Sequence, residues 1–232
     1  MNKKLTSSGL KLVALITMLI DHTAYIFYST LLHTGHKELY SYMRLIGRIS
    51  FPIFIFMLVY GAEHTRNIKR YLMRLFGMAV ISEIPFNLMT GNKIYNPDYQ
   101  NVMFTLFIGL CCIAFSRYIS EKYFKNRILS CFLVAFITCV GMKLADILRT
   151  DYSWIGVLTI MLAYLFRNKK KLQMPVVCTA LILYNFSEVA TLFCIPIINA
   201  CNGQKGQLPK WAAYFFYPVH IMLLWGIYQL IR

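Results

Sequence analysis

The stretch Leu10-Lys11-Leu12-Val13-Ala14-Leu15-Ile16-Thr17-Met18-Leu19-Ile20-Asp21-His22-Thr23-Ala24-Tyr25-Ile26-Phe27-Tyr28 decides the fold. Lys11 apart, it is apolar on both sides of a single ionisable pair, Asp21-His22. As a helix rising ~1.5 Å per residue, it is long enough to reach across a ~30 Å hydrocarbon core. Counted from Leu10, His22 then lies ~18 Å deep, slightly past the midplane. A cleaved signal peptide is the competing reading, because Lys3 and Lys4 precede the apolar run Leu12 to Ile20. It is set aside because apolar character resumes after His22 and no A-x-A-like cleavage site follows.

The rest of the chain repeats this character. Of 232 residues, 58% are hydrophobic and 14% charged, and the mean hydropathy is +0.55. Soluble domains carry about 25% charged residues. Further apolar helices are expected at about 42–63, 70–90, 101–117, 128–147, 153–167, 174–198 and 211–231. With the first at 10–32, these make an all-α polytopic membrane bundle of about eight transmembrane helices in one domain, residues 1–232.

The net charge of +15 would point to nucleic acid in a soluble protein. Here its distribution explains it. With a cytoplasmic N-terminus, the inner segments hold sixteen of the twenty-four Lys and Arg, from Lys3 and Lys4 to Arg232. The outer segments take Lys37, Arg44, Arg48, Lys93, Lys143, Arg149, Lys205 and Lys210. This bias follows the positive-inside rule, predicts an even number of crossings and leaves no need for nucleic acid. The seven cysteines include no C-x-x-C pair, so neither a metal site nor a disulfide framework is expected.

Ionisable residues inside spans are costly unless paired or wet, so they mark candidate sites. Asp21 and His22 lie in the first helix. Arg44 and Arg48, spaced i,i+4, share a face at the outer start of the second. His220, nine residues past Trp211, is expected ~14 Å deep, with Tyr217 one turn before it on the same face. Glu83, Asp146 and Glu188 complete the set. Together these residues suggest a polar chamber opening outward. Lys143 with Asp146 also fits a plain i,i+3 ion pair, and Glu83 with Asn87, or Asn185 with Glu188, fits interhelical polar packing. On the cytoplasmic side Arg66, Arg70 and Arg74 follow at i,i+4,i+8, a spacing that aligns three guanidinium groups for phosphate oxygens. Lipid headgroups would account for part of the same pattern.

Three blocks then stand out: Met18-Leu19-Ile20-Asp21-His22, Arg44-Leu45-Ile46-Gly47-Arg48-Ile49-Ser50-Phe51-Pro52-Ile53-Phe54 and Gly61-Ala62-Glu63-His64-Thr65-Arg66-Asn67. They resemble the signature of the TraX family, membrane proteins whose namesake is implicated in N-terminal acetylation of conjugative pilin. Glu83-Ile84-Pro85-Phe86-Asn87, Asn101-Val102-Met103-Phe104-Thr105-Leu106, Thr150-Asp151-Tyr152 and Tyr217-Pro218-Val219-His220 are similar to its later blocks. Ser153-Trp154 departs from the pattern where a small residue such as Gly is expected. The family is also distantly similar to transmembrane acyltransferases, among them heparan-α-glucosaminide acetyltransferase and bacterial polysaccharide O-acetyltransferases.

The resemblance implies an enzyme of the bacterial cytoplasmic membrane that uses cytoplasmic acetyl-CoA and no metal. Its acceptor would be an extracytoplasmic protein, saccharide or lipid. By this likeness His22 takes the place of the essential intramembrane histidine, while Arg66, Arg70, Arg74 and the neighbouring His64 face coenzyme A. His22 would act as base or be acetylated itself. Arg48 would stabilise the oxyanion. Asp21 and His22 point about 100° apart on their helix, so Glu83 or Asp146 is the expected carboxylate partner of His22, and Asp21 that of Arg44 or Arg48. Arg44, Tyr217 and His220 would face the acceptor. The alternative is a small proton-coupled transporter with Asp21, His22 and Glu83 as its relay.

Overall fold

A computed structural model describes residues 5–204 and 206–231. Lys3, Lys4, Lys205 and Arg232, and the side chain of Lys210, carry part of the charge argument and lie outside the described residues. The chain is all-α. Its helices are α1 (Ser7–Ile26), α2 (Tyr28–His33), α3 (Lys37–Gly47), α4 (Ser50–His64), α5 (Ile68–Gly91) and α6 (Val102–Lys122), followed by α7 (Arg127–Ile147), α8 (Ser153–Leu165) and α9 (Lys170–Tyr184). A 3₁₀ helix (Phe186–Phe193), α10 (Cys194–Asn199) and α11 (Lys210–Ile231) complete it.

Six helical stretches are long and apolar enough to cross a membrane: Ser7–Ile26, Lys37–His64, Ile68–Gly91, Val102–Lys122, Arg127–Ile147 and Trp211–Ile231. Two of the eight expected spans change. The one at 153–167 is a helix of 13 residues, ~20 Å long and short of the hydrocarbon thickness. The one at 174–198 breaks at Asn185, whose backbone is extended (φ −149°, ψ 120°) and whose side chain accepts from the Ser187 N–H. Outward-facing apolar rows, such as exposed Ile128, Phe132 and Phe136 at i,i+4,i+8 on α7, suit lipid contact.

The helices start where their sequence supplies caps. Thr6 Oγ1 accepts from Gly9 N at the head of α1, and Asn101 and Asn126 do the same for α6 and α7. Two compact units result, which share α4, α5 and α9 by residue.

One unit comprises the described residues of Met1–Phe54, Ile84–Ile94 and Leu181–Arg232. In it α1 packs against both α3 and α11. Near the start of α1, Leu5 N donates to Ala200 O (3.2 Å), Asn202 N to Leu5 O (2.8 Å) and Leu208 N to Ser8 Oγ (3.0 Å). Gly206 permits this approach, since a Cβ there would overlap Ser8. Further along, His22 meets His220 and Ser29 meets Tyr228. Residue numbers rise together on both helices, so α1 and α11 run parallel. This corrects one expectation, the entry of the last helix from the face opposite the N-terminus. The cause is the backbone pairing of Leu5 with Ala200 and Asn202, which fixes the 200–208 segment at the N-terminal end.

The other unit comprises Ile55–Glu83 and Tyr95–Ala180. Here α6, α7 and α8 pack on one another. Gly109 admits Ile160, and Gly141 admits Cys112, the small-residue contacts that let helices approach closely in membranes. The α7–α8 connection is tied down by Arg149 on Asp98, Tyr99 OH on Asp151 (2.8 Å) and Thr105 on Thr150 and the Asp151 carbonyl. Ser153, which departs from the family pattern, has φ 40° and follows Tyr152 at φ 61°. That is the left-handed region in which a Gly is unstrained.

Candidate functional site

The first unit gathers Asp21, His22, Arg44, Arg48, Tyr217 and His220. Asp21 and His22 sit five and four residues before the end of α1, and the two arginines close α3. Arg44 Nη1 lies 2.6 Å from Asp21 Oδ2, and its guanidinium also lies over the Tyr25 ring, 5.6 Å from the centroid. Of the two arginines open to Asp21, the structure thus selects Arg44. Gly47 makes room, since a Cβ there would collide with the Asp21 carboxyl group. Arg48 turns to another element, with Nη1 2.9 Å from Oε1 of the buried Glu188 on the 3₁₀ helix. The sequence alone fits Glu188 to polar packing with Asn185. The break at Asn185 directs it to Arg48 instead.

His22 Nδ1 lies 2.7 Å from His220 Nε2, with the two ring planes nearly parallel at 2°. His220 Nδ1 in turn lies 2.5 Å from the Phe216 carbonyl, four residues back on α11. This chain assigns the tautomers. A carbonyl only accepts, so His220 carries its proton on Nδ1 and offers the Nε2 lone pair. His22 must then donate from Nδ1, which leaves its own Nε2 as the basic nitrogen. Tyr217 packs edge-on against His22 (5.8 Å) and His220 (6.0 Å), and both Tyr217 and His220 are buried. The nitrogen that a carboxylate was expected to orient meets a second imidazole.

The remaining candidates fall in the second unit. Glu83 accepts from Asn101 Nδ2, which also donates to Ala79 O. Asp146 is exposed, 3.0 Å from Lys143 Nζ and 3.2 Å from Ser153 Oγ. His64 Nδ1 donates to Tyr60 O (2.8 Å), and its ring stacks on Tyr60 at 4.0 Å. Its neighbour Glu63 pairs with Arg167 (2.7 Å). Because α5 begins at Ile68, Arg66 precedes the helix, where Asn67 Oδ1 caps the Arg70 N–H. Arg70 and Arg74 share a helix face one turn apart, both exposed. The alignment expected for three guanidinium groups is therefore reduced to two on the helix and one in the turn before it. Among the described residues no cluster of three or more His, Cys, Asp or Glu is arranged to hold a metal ion.

The His22–His220 pairing was not legible in the sequence. The signal that could have found it is weak: two intramembrane histidines at comparable expected depth.

The family pattern described as TraX protein matches residues 6–228. The probable fimbrial assembly protein FimC, serogroup H1, of Dichelobacter nodosus is 27% identical over 241 residues, covering 93% of this chain and 92% of its own length. No solved structure matches. With the blocks around His22, Arg48, Asn101 and His220 all inside the matched range, the chain belongs to the TraX family.

Proposed function

We propose that this chain is an acetyltransferase of the bacterial cytoplasmic membrane. It takes the acetyl group of cytoplasmic acetyl-CoA and passes it to an amine or hydroxyl of an extracytoplasmic acceptor. The observation that carries this reading is the Phe216–His220–His22 hydrogen-bond chain, which presents His22 Nε2 as a base held in one tautomer. The acceptor heteroatom attacks the thioester carbonyl carbon and gives its proton to Nε2. The His22 cation that forms is stabilised through its Nδ1–H bond to His220. The C–S bond breaks, and the departing thiolate takes the proton from Nε2. Arg48, held by Glu188, supplies N–H donors to the oxyanion.

In this reading Arg66, Arg70 and Arg74 hold the coenzyme A phosphates, with His64 beside them. The family's association with pilin acetylation, and the fimbrial role named for the Dichelobacter relative, favour an acceptor exported across the membrane.

The test is transfer from labelled acetyl-CoA to an envelope fraction by the purified protein in proteoliposomes. Wild type should label the fraction and His22→Ala should not. Equal labelling by both, or by neither, overturns the reading. Arg70→Ala and Arg74→Ala should raise the KM for acetyl-CoA about tenfold with little change in kcat. A hydrogen-bonded histidine pair also suits a proton relay. Solute uptake that is coupled to protons and indifferent to acetyl-CoA would support that second reading.

A further inference from the structure

A cavity of about 480 Å³ opens in the first unit at the end where α1, α5 and α11 finish. Five aromatic rings line it, Tyr25, Tyr28, Tyr40, Trp225 and Tyr228, beside the aliphatic Ile26, Leu88 and Met89. Neutral polar groups fill the gaps between them. Ser29 Oγ is 3.1 Å from Tyr228 OH. Trp225 Nε1 and Gln229 Nε2 both donate to Asn92 Oδ1, at 3.1 and 3.3 Å. No Asp, Glu, Lys, Arg or His is among the residues lining it.

The cavity lies one helical turn from the histidine pair. Tyr25 and Ile26 line it and follow His22 at i+3 and i+4, so they share its helix face about 5 Å further along. Tyr25 is also the ring beneath Arg44, the partner of Asp21. A ligand seated among the tyrosines therefore reaches toward His22.

The lining selects the ligand's chemistry. Aromatic faces pack against the C–H faces of a sugar ring, while amides and phenol hydroxyls exchange hydrogen bonds with its hydroxyls. The volume falls within the ~300–1,000 Å³ usual for small-ligand sites. A protonated peptide N-terminus would find no carboxylate in this wall. We propose that the cavity is the acceptor subsite and that the acceptor is an uncharged sugar unit of an envelope saccharide, its hydroxyl turned toward His22. This rests on the acetyltransferase reading. The sugar oxygen forms the new C–O bond, its proton goes to His22 Nε2, and coenzyme A leaves as the thiol.

The chain has three tryptophans, so Trp154→Phe with Trp211→Phe leaves Trp225 as the reporter. The full-length protein in detergent, without acetyl-CoA, is titrated with a panel of neutral glucosyl, galactosyl and N-acetylglucosaminyl disaccharides. It is titrated in parallel with a short peptide bearing a free N-terminus and an amidated C-terminus. The expected result is a saturable change in Trp225 emission with at least one disaccharide and none with the peptide. Affinity should weaken about tenfold in Tyr228→Ala and less in Tyr228→Phe. Saturation by the peptide in place of the sugars, or by no ligand, overturns the proposal. Because acetyl-CoA is absent, such a failure leaves the labelling test of His22 standing. Sugar binding without acetyl transfer would instead remove the enzyme reading.

Discussion

The carboxyl group of Asp21 occupies the space that a Cβ on Gly47 would need, and from there it meets Arg44 at 2.6 Å. Gly47→Ala must displace either the acid or helix α3. A loss of about 1–3 kcal/mol is expected in thermal or denaturant unfolding in detergent. Gly226→Ala is the control, with nothing within 4 Å of its added methyl, and should change stability by less than about 0.5 kcal/mol. Equal behaviour of the two variants would show that Asp21 is not confined by Gly47.

Arg48 and Glu188 form the more buried of the site's two ion pairs, with the Glu188 side chain 5% exposed. Removing one partner strands the other charge, so Arg48→Met or Glu188→Gln alone should cost about 3–5 kcal/mol. The double variant Arg48→Met with Glu188→Gln should lose clearly less than the sum of the two single losses. A double-mutant cycle on unfolding measures this. Additive losses would mean that the pair is not coupled.

His220→Phe keeps a ring beside His22 but removes the acceptor that fixes its tautomer. The expected fall in kcat is about 10²-fold, with the KM for acetyl-CoA within about twofold. His220→Gln, whose side-chain oxygen still accepts, should recover part of the rate. An equal fall of kcat in both variants, matched by equal falls of their unfolding midpoints, would assign His220 to packing alone.

With α1 and α11 running parallel, the start of α1 and the end of α11 are expected on opposite sides of the membrane. With the N-terminus inside, alkaline phosphatase fused after Ile231 should be active and a fluorescent protein there dark. The reverse should hold at the N-terminus. The same side for both reporters would overturn the helix direction.

The spans with long apolar runs were readable from hydropathy, and the Asp21-His22 and Arg44-Arg48 pairs from the cost of charge in lipid. The break at Asn185 was not. Neither Gly nor Pro marks it, and the flanking stretches Leu181 to Tyr184 and Val189 to Phe193 are both apolar, so a hydropathy window reads through. The direction of α11 escaped for a related reason. The 198–210 connection carries only Lys205 and Lys210, too little charge to set its side against the total. The bond between His22 and His220 joins residues 198 positions apart, and no spacing rule links them.

That separation also orders events during synthesis. α1 leaves the ribosome well before α11, so nascent chains hold His22 without its imidazole partner until the 198 residues that separate it from His220 have been made. In the acetyltransferase reading, a chain cut short before Tyr217 has no means to set the His22 tautomer. Prematurely terminated products would sit in the membrane as inert helices and would not consume acetyl donor to no purpose.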